Sequence, residues 1–582
     1  LRKGLTIEER DLDFSLANLG EADRQTYAAK VKKSLNYVLS LHLNSALDST
    51  EATELALTTV LRRKGRILEA STRTIEIIKQ YGTSDDQGLL RQFIKLKQQI
   101  ATLATAPSNE LSSAEYQRRL ANLRSEVNRL DNILARRSAL LAPPSPTIEL
   151  DAIQKQIPDN GVLIEYVLYQ PFDPAEPIGD GFSATSGGPA QRFEASRYAA
   201  YLFFPDGTIK AVDLGNAAQI DAAIQSFGNL LRAPNSDFSR APASIQVETT
   251  NTRVEAVANN IRELIFDPIA PYIQKQKHLL ISPDSQLNRL PFEALQTDDE
   301  TFLVEQYQIS YLNSGRDLLR NNTRSRSNAG DVILANPNYG TSTLAQGPGS
   351  VGLNSLGQFA PLPGTAEEVA SIAPLLSNAT LLTEGNATET ALKAVQSPRI
   401  LHLATHGFFL PDVERQDYAD NLGLFASEGP IATRTTTEQT IADPLLRSGL
   451  ALAGFNSRMG GDDDDGIFTA LEAANLNLTG TQLVVLSACD TGLGDIASGE
   501  GVYGLRRALS IAGAETQLMS LWQVSDFGTQ SLMTHYYENL TSGMGRSEAL
   551  RTAQLNMIQS DTYAHPYYWA AFILSGDWRP LE

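Results

Sequence analysis

The chain has 582 residues, 42% hydrophobic and 20% charged, a globular balance with room for three or four domains of about 150 residues each. Its 48 Lys and Arg face 67 Asp and Glu, and a net charge of −19 repels phosphate, so nucleic acid is not expected as a direct substrate. No stretch approaches the roughly 18 uninterrupted apolar residues of a membrane helix.

The N-terminus Leu1-Arg2-Lys3-Gly4 has no initiator Met and no apolar segment behind it. A soluble chain with an upstream portion removed is the expectation, and no membrane partner. Residues 1–150 hold 22 Lys and Arg against 18 Asp and Glu, so the acidity lies in the remainder, where a basic peptide would be attracted. One cysteine, Cys489, excludes intramolecular disulfides and any multi-cysteine zinc site. It fits a reducing compartment, the cytoplasm, and no metal or other cofactor is expected.

Residues 1–146 are expected to be all-helical, with apolar spacing near 3.6. Leu89, Phe93, Leu96, Ile100 and Leu103 make one stripe, and Leu120, Leu123, Val127, Leu130 and Leu134 another. The turn Pro107-Ser108-Asn109 between them predicts a helical hairpin, on a region suited to holding a protein substrate or a protein activator. Pro143-Pro144-Ser145-Pro146 is a stiff break, after which strands alternate with helices.

Strands are predicted at Gly161 to Tyr169, Tyr198 to Phe204, His278 to Ser282 and Tyr307 to Leu312, with helices near 216–232 and 252–272. These form a first α/β unit, 147–328, without cysteine. A second unit, 329–582, takes strands at Val332 to Ala335, Thr380 to Leu382, Ile400 to Ala404, Leu483 to Leu486, Gln517 to Leu521 and near Ala570 to Leu574. Helices are expected near 364–376 and 500–512. Between them 411–466 is long and irregular, ending in Gly460-Gly461-Asp462-Asp463-Asp464-Asp465-Gly466. A loop of that length in a compact domain is expected to be functional or mobile, ordered by substrate or activator.

Two strand ends carry reactive side chains. Ile400-Leu401-His402-Leu403-Ala404 runs into Thr405-His406-Gly407, and Leu483-Val484-Val485-Leu486 into Ser487-Ala488-Cys489-Asp490-Thr491-Gly492. Both strands are apolar enough to be central in a parallel sheet, whose ligands bind at the carboxyl ends. A thiol must lose its proton to attack a carbonyl, and an imidazole suits that transfer better than a carboxylate. The backbone N–H groups of Gly407 and Cys489 are expected to form an oxyanion hole.

At these residues the chain resembles a CHAT domain, the caspase-like cysteine peptidase module found behind tetratricopeptide repeats in bacteria, especially cyanobacteria. The resemblance rests on His402-Leu403-Ala404-Thr405-His406-Gly407, Leu486-Ser487-Ala488-Cys489-Asp490-Thr491-Gly492, Gly499-Glu500-Gly501, Leu521-Trp522-Gln523-Val524-Ser525-Asp526 and His565-Pro566-Tyr567-Tyr568-Trp569-Ala570, with a weaker match at Asn288 to Leu295. It implies His406 as base, Cys489 as nucleophile and a caspase-like parallel sheet. Trp522 to Asp526 is also similar to separase, a related peptidase with an inactive caspase-like unit before the active one. That layout implies a pseudo-protease at 147–328 and an active protease at 329–582, behind the all-helical region.

His402, two residues before the turn, is expected to be buried support, and His42, His278, His535 and His565 to be structural. Gly499 to Gly504 matches G-x-G-x-x-G without leaving a strand directly, so no nucleotide is expected there. The Asp462 to Asp465 run lacks the alternating ligands of a calcium loop. A protease cutting specific protein partners is the expected function. The alternatives are a catalytically silent interaction scaffold and a small amide or ester hydrolase. Asp526, Trp522 and Gln523 are expected to line the pocket for the residue before the cut, with Asp490 and Glu500 in reserve. A carboxylate there predicts a basic preference, Arg before Lys. Asp526 alternatively caps a helix beginning near Phe527.

Overall fold

The computed structural model describes residues 1–105, 113–141, 148–173, 193–232, 246–297, 299–320, 327, 329–341, 358–410, 444–457, 464–488, 495–497 and 501–582. Six helices open the chain: α1 (Arg2–Asn18), α2 (Glu21–Ser40), α3 (Thr50–Arg63), α4 (Arg66–Tyr81), α5 (Ser84–Thr105) and α6 (Ser113–Leu141). α5 packs against α6, with Phe93, Leu130 and Leu134 buried and Leu89, Leu96 and Val127 partly buried beside them. The two apolar stripes of the sequence thus face one another. The turn at 106–112 and the proline break at 142–147 lie outside the described residues.

Beyond residue 150 the strands are β1 (Gly161–Tyr169), β2 (Arg197–Phe203), β3 (Ile209–Asn216), β4 (His278–Ser282), β5 (Gln308–Tyr311), β6 (Val332–Pro337), β7 (Thr380–Glu384) and β8 (Ile400–Ala404). They continue with β9 (Gly407–Phe409), β10 (Ser448–Ala451), β11 (Ile467–Thr469), β12 (Leu483–Ser487), β13 (Asp495–Ala497), β14 (Gly501–Tyr503), β15 (Thr516–Ser520) and β16 (Phe572–Gly576). The longer helices among them are α7 (Ala217–Arg232), α8 (Gln246–Ile265), α9 (Pro363–Ile372), α10 (Leu505–Ala512), α11 (Asp526–Thr541) and α12 (Arg546–Ile558).

Eleven strands form one sheet in the order β3-β2-β1-β4-β5-β16-β15-β12-β8-β6-β7. The fold is therefore a helical region followed by an α/β region built on a large, mostly parallel sheet, the class expected. The boundary near residue 328 falls inside that sheet, with β1 to β5 on one side of β16. β16 runs parallel to β5 and antiparallel to β15. As a result the carboxyl ends of β1, β4 and β5 point to one edge of the sheet, and those of β12, β8 and β6 to the other.

Two readings of the second unit change. The segment 411–466 is not irregular throughout, because β10 lies inside it and pairs antiparallel with both β9 and β11. Four residues, Ser448-Gly449-Leu450-Ala451, are too few for their alternation to show. Residues 411–443 and 458–463 lie outside the described residues, so the mobility expected of them has no structural counterpart here. The helix expected from residue 500 begins at Leu505, and Gly501–Tyr503 instead pairs with Asp495–Ala497 as a hairpin. Within the acidic run, Asp464 accepts hydrogen bonds from the N–H (2.8 Å) and hydroxyl (2.7 Å) of Thr390.

The helical region is pinned to the sheet by a buried ion pair. Gly65, at φ 71, makes the reversal between α3 and α4 that carries Lys64 inward. Lys64 Nζ donates to Glu165 Oε2 at 2.9 Å, to the Tyr166 and Ser282 carbonyls at 2.9 Å each, and to Ser282 Oγ at 2.7 Å. The lysine side chain is 5% exposed and the carboxylate 0%. A second tie joins the helical region to the other half, where Arg507 on α10 donates to Glu21 on α2 at 3.0 Å.

Removing one partner of a buried pair strands the other charge without water. Lys64→Ala and Glu165→Ala are each expected to lower unfolding free energy by about 3–5 kcal/mol. The exposed pair Arg2–Glu51 is worth about 0–1 kcal/mol. Denaturant titration of the singles, the double and Arg2→Ala checks this, and the double should lose less than the sum of the singles.

Candidate active site

β8 and β12 are buried along their whole length and pair in parallel, from Ile400 opposite Leu483 to Ala404 opposite Ser487. Their composition, apolar except for His402 in β8 and Ser487 at the end of β12, suits a strand covered on both faces. His406 follows Ala404 by two residues, and in the sequence Cys489 follows Ser487, the residue paired with Ala404, by two. Cys489, Asp490 and Glu500 themselves lie outside the described residues. The residue before Cys489 is anchored, since the Ala488 carbonyl accepts the Ser520 hydroxyl from β15.

The His406 ring is held from three sides. Its Nε2 lies 2.8 Å from the Ala360 carbonyl, so that nitrogen carries the proton and donates it. Nδ1 is then the basic nitrogen. Phe359 stacks on the ring, centroids 4.5 Å apart at 21°, and Tyr339 lies 5.3 Å away. Asn456 fixes this wall, accepting from the Phe359 N–H (2.9 Å) and donating to its carbonyl (2.8 Å). Burial pushes the His406 pKa below the usual imidazole value, outweighing the opposite pulls of the Ala360 carbonyl and the Asp526 charge. The ring is thus neutral at neutral pH and able to take a proton.

Gly407 opens β9, which is an edge strand of the three-stranded sheet β11-β10-β9. The Ala451 N–H donates to the His406 carbonyl at 2.8 Å, so the next pair, Gly407 with Leu450, is the non-hydrogen-bonded one of the antiparallel ladder. That alternation turns the Gly407 N–H away from β10, available to a ligand.

Asp526 is the first residue of α11, with Ser525 as the N-cap. The cap is therefore Ser525 and not Asp526, the alternative expected from the sequence, and the Asp526 carboxylate is not spent on capping. Asp526 is partly buried and makes no hydrogen bond or ion pair among the described residues. Burial raises its pKa, the His406 charge lowers it and the Glu368 charge raises it again. α9 meets it closely, for a Cβ on Gly364 would stand 2.5 Å from the Asp526 Cβ.

Trp522 differs from its expected role. It is 2% exposed and its indole N–H donates to the Tyr567 carbonyl at 3.2 Å, so the ring is core and has no free face for a substrate side chain. Gln523 is exposed. His402 is buried as expected, with Nδ1 3.0 Å from the Tyr537 hydroxyl. His278, 2.9 Å from Ser310 Oγ, has its pKa pushed down to about 4 by burial. His42 binds Thr53 and Tyr201, His535 the Ser531 carbonyl, and His565 caps a short helical turn. Sequence reasoning missed Tyr339, Phe359, Ala360 and Asn456. A carbonyl acceptor has no residue signature, and aromatic packing across 46 to 67 residues leaves no local pattern.

The CHAT domain family model matches residues 255–577, more than half of the chain. This chain belongs to the CHAT domain family. The CHAT domain match supports a peptidase-type function. Among curated proteins, human Tetratricopeptide repeat protein 28 is 25% identical over 316 residues, 52% of this chain and 12% of that protein. The mouse protein of the same name is 23% identical over 327 residues, with the same two shares. The chain therefore spans about an eighth of the length of the curated relatives it matches. Among solved structures, the Saccharomyces cerevisiae separase–securin complex aligns with 98% of this chain and 46% of that one, at 11% identity and a TM-score of 0.40. The Arg-specific cysteine proteinase gingipain R aligns with 62% of this chain and 75% of that one, at 9% identity and a TM-score of 0.31. Among the described residues of this CHAT chain, no helix is long and apolar enough to cross a membrane.

With its folded pKa depressed, His406 binds a proton less readily than in the unfolded chain, so its contribution to stability falls as pH drops below about 6.5 and is unchanged above. Nitrogen-labelled histidine NMR should place the His406 midpoint below 6.5, and Phe359→Ala, by letting water reach the ring, should move it up.

Proposed function

We propose that this CHAT protein is a cysteine endopeptidase that cuts specific protein substrates with a His406–Cys489 dyad. The observation that carries the proposal is the His406 ring, neutral, with one nitrogen committed to Ala360 and the other unprotonated, one strand away from the strand that leads into Cys489. His406 Nδ1 takes the thiol proton and the thiolate attacks the scissile carbonyl carbon. The Gly407 and Cys489 N–H groups hold the oxyanion. His406 then gives the proton to the departing amine, and water, deprotonated by the same ring, releases the acyl group from sulfur.

A basic residue before the cut, Arg ahead of Lys, fits Asp526, a partly buried carboxylate without a partner among the described residues beside the base. Losing such a partner for a buried guanidinium typically costs ~2–5 kcal/mol, enough to set a preference. Trp522, being core, has no part in this recognition. Regulation through the helical region fits the Arg507–Glu21 bond, because α10 follows the Cys489 segment in sequence with only the β13–β14 hairpin between.

Cys489→Ala and His406→Ala should each abolish cleavage of co-encoded proteins while leaving the circular dichroism spectrum unchanged, with the double variant no worse than either single one. Wild-type cleavage by Cys489→Ala would reject the dyad, and an inactive wild type that still binds those proteins would favour the silent scaffold. Profiling with a fluorogenic peptide library should show cleavage after Arg, weakened in Asp526→Asn. Dominant cleavage after Met, Leu or Asp would reject the basic preference.

A further inference from the structure

Between α9 and the strands β8 and β12 lies a buried polar cluster to which the reaction above gives no role. Glu368, on α9, is 1% exposed, and His402, on β8, 0%. Glu368 Oε2 accepts the Ser487 hydroxyl at 2.9 Å. Its other oxygen, Oε1, stands 3.1 Å from His402 Nε2, off the line of a regular hydrogen bond, and neither atom has another partner among the described residues. His402 Nδ1 lies 3.0 Å from the Tyr537 hydroxyl of α11. Burial holds the Tyr537 pKa well above its ordinary value, so the phenol stays protonated and donates to Nδ1, leaving Nε2–H to face the carboxylate.

Each group that this carboxylate touches leads to one part of the site. Ser487 ends β12 and precedes Cys489 by two residues. His402 lies on β8 and precedes His406 by four. α9 itself begins at Pro363, three residues after Ala360, whose carbonyl orients the His406 ring. A buried carboxylate costs several kcal/mol in desolvation, and packing α9 against two apolar strands does not need one. What a carboxylate adds is direction, with two oxygens fixing two strands against one helix.

We propose that Glu368 is a positioning residue for the dyad, acting through Ser487 on Cys489 and through His402 and α9 on His406. The inference rests on the dyad reading given above. A displacement of about 1 Å between reacting groups costs on the order of a hundredfold in rate, so the link needs to shift the strands only slightly to matter.

Cys489 is the single cysteine, which allows a test without a known substrate. Iodoacetamide alkylation of the whole chain is followed by intact mass from about pH 5 to about pH 9, spanning the ordinary imidazole and thiol values. In the wild type the rate should rise well below the ordinary thiol value of about 8.5, and in His406→Ala near it. Glu368→Ala should move the profile toward His406→Ala, slowing alkylation about tenfold at pH values below both thiol midpoints, as one unit of thiol shift does. Glu368→Gln, which keeps an acceptor for Ser487, should show a smaller shift, and Ser487→Ala a shift in the same direction. A purely structural role would lower the melting temperature and leave the profile in place. Wild-type profiles for Glu368→Ala and Ser487→Ala, both folded, would overturn the proposal, and if Glu368→Ala does not fold, Glu368→Gln and Ser487→Ala decide it alone. Identical profiles for wild type and His406→Ala would instead overturn the dyad, and this proposal with it.

Discussion

Strand β16 holds the α/β region together. Lying between β5 and β15, it joins the two halves of the large sheet among the described strands, and it pairs parallel on one side and antiparallel on the other. Phe572, Ile573 and Leu574 are completely buried, so both its backbone edges and both its faces are used. Its reversal of direction is what separates the two sets of strand ends. Without it the end of β4, where Lys64 is inserted, and the end of β8, where His406 stands, would share one edge.

That separation assigns different work to the two edges. At the edge formed by β1 and β4, the position that would hold a ligand in an open α/β sheet is filled by the chain's own Lys64. The Lys64 ammonium is there satisfied by one carboxylate, two carbonyls and a hydroxyl. At the other edge three polar groups have unused capacity among the described residues: the Nδ1 of His406, the N–H of Gly407 and the carboxylate of Asp526. The aromatic wall of Tyr339, Phe359, Phe408 and Phe455 keeps water from His406 without using its base nitrogen.

The strands that carry chemistry were the most legible part of the chain. β1 begins at Gly161 and ends at Tyr169, and β8 runs from Ile400 to Ala404, both as their composition predicts, because a strand buried on both faces is predominantly apolar. His406 was legible for the same reason, as the first titratable side chain past such a strand. Its surroundings were not. Ala360, Phe359, Asn456 and Glu368 reach the site from loops and a helix far away in sequence, and tertiary packing alone brings them there. Trp522 shows the reverse limit: its place after β15 made it a plausible pocket residue, while its burial depends on Tyr567, 45 residues later. The short strands β10, β13 and β14, of three or four residues, lie below the length at which periodicity can speak.

The place of β16 in the chain order has a consequence for biosynthesis. Every other strand of the sheet precedes it, so both β5 and β15 are made before the strand that will cover them and wait with unpaired backbone edges. The two halves must find each other around a segment that arrives after both, a non-local closure of the slow kind. A nascent chain long enough to contain His406 and Cys489 still lacks the central strand of its sheet. The order of synthesis therefore delays completion of the sheet until β16 has been made.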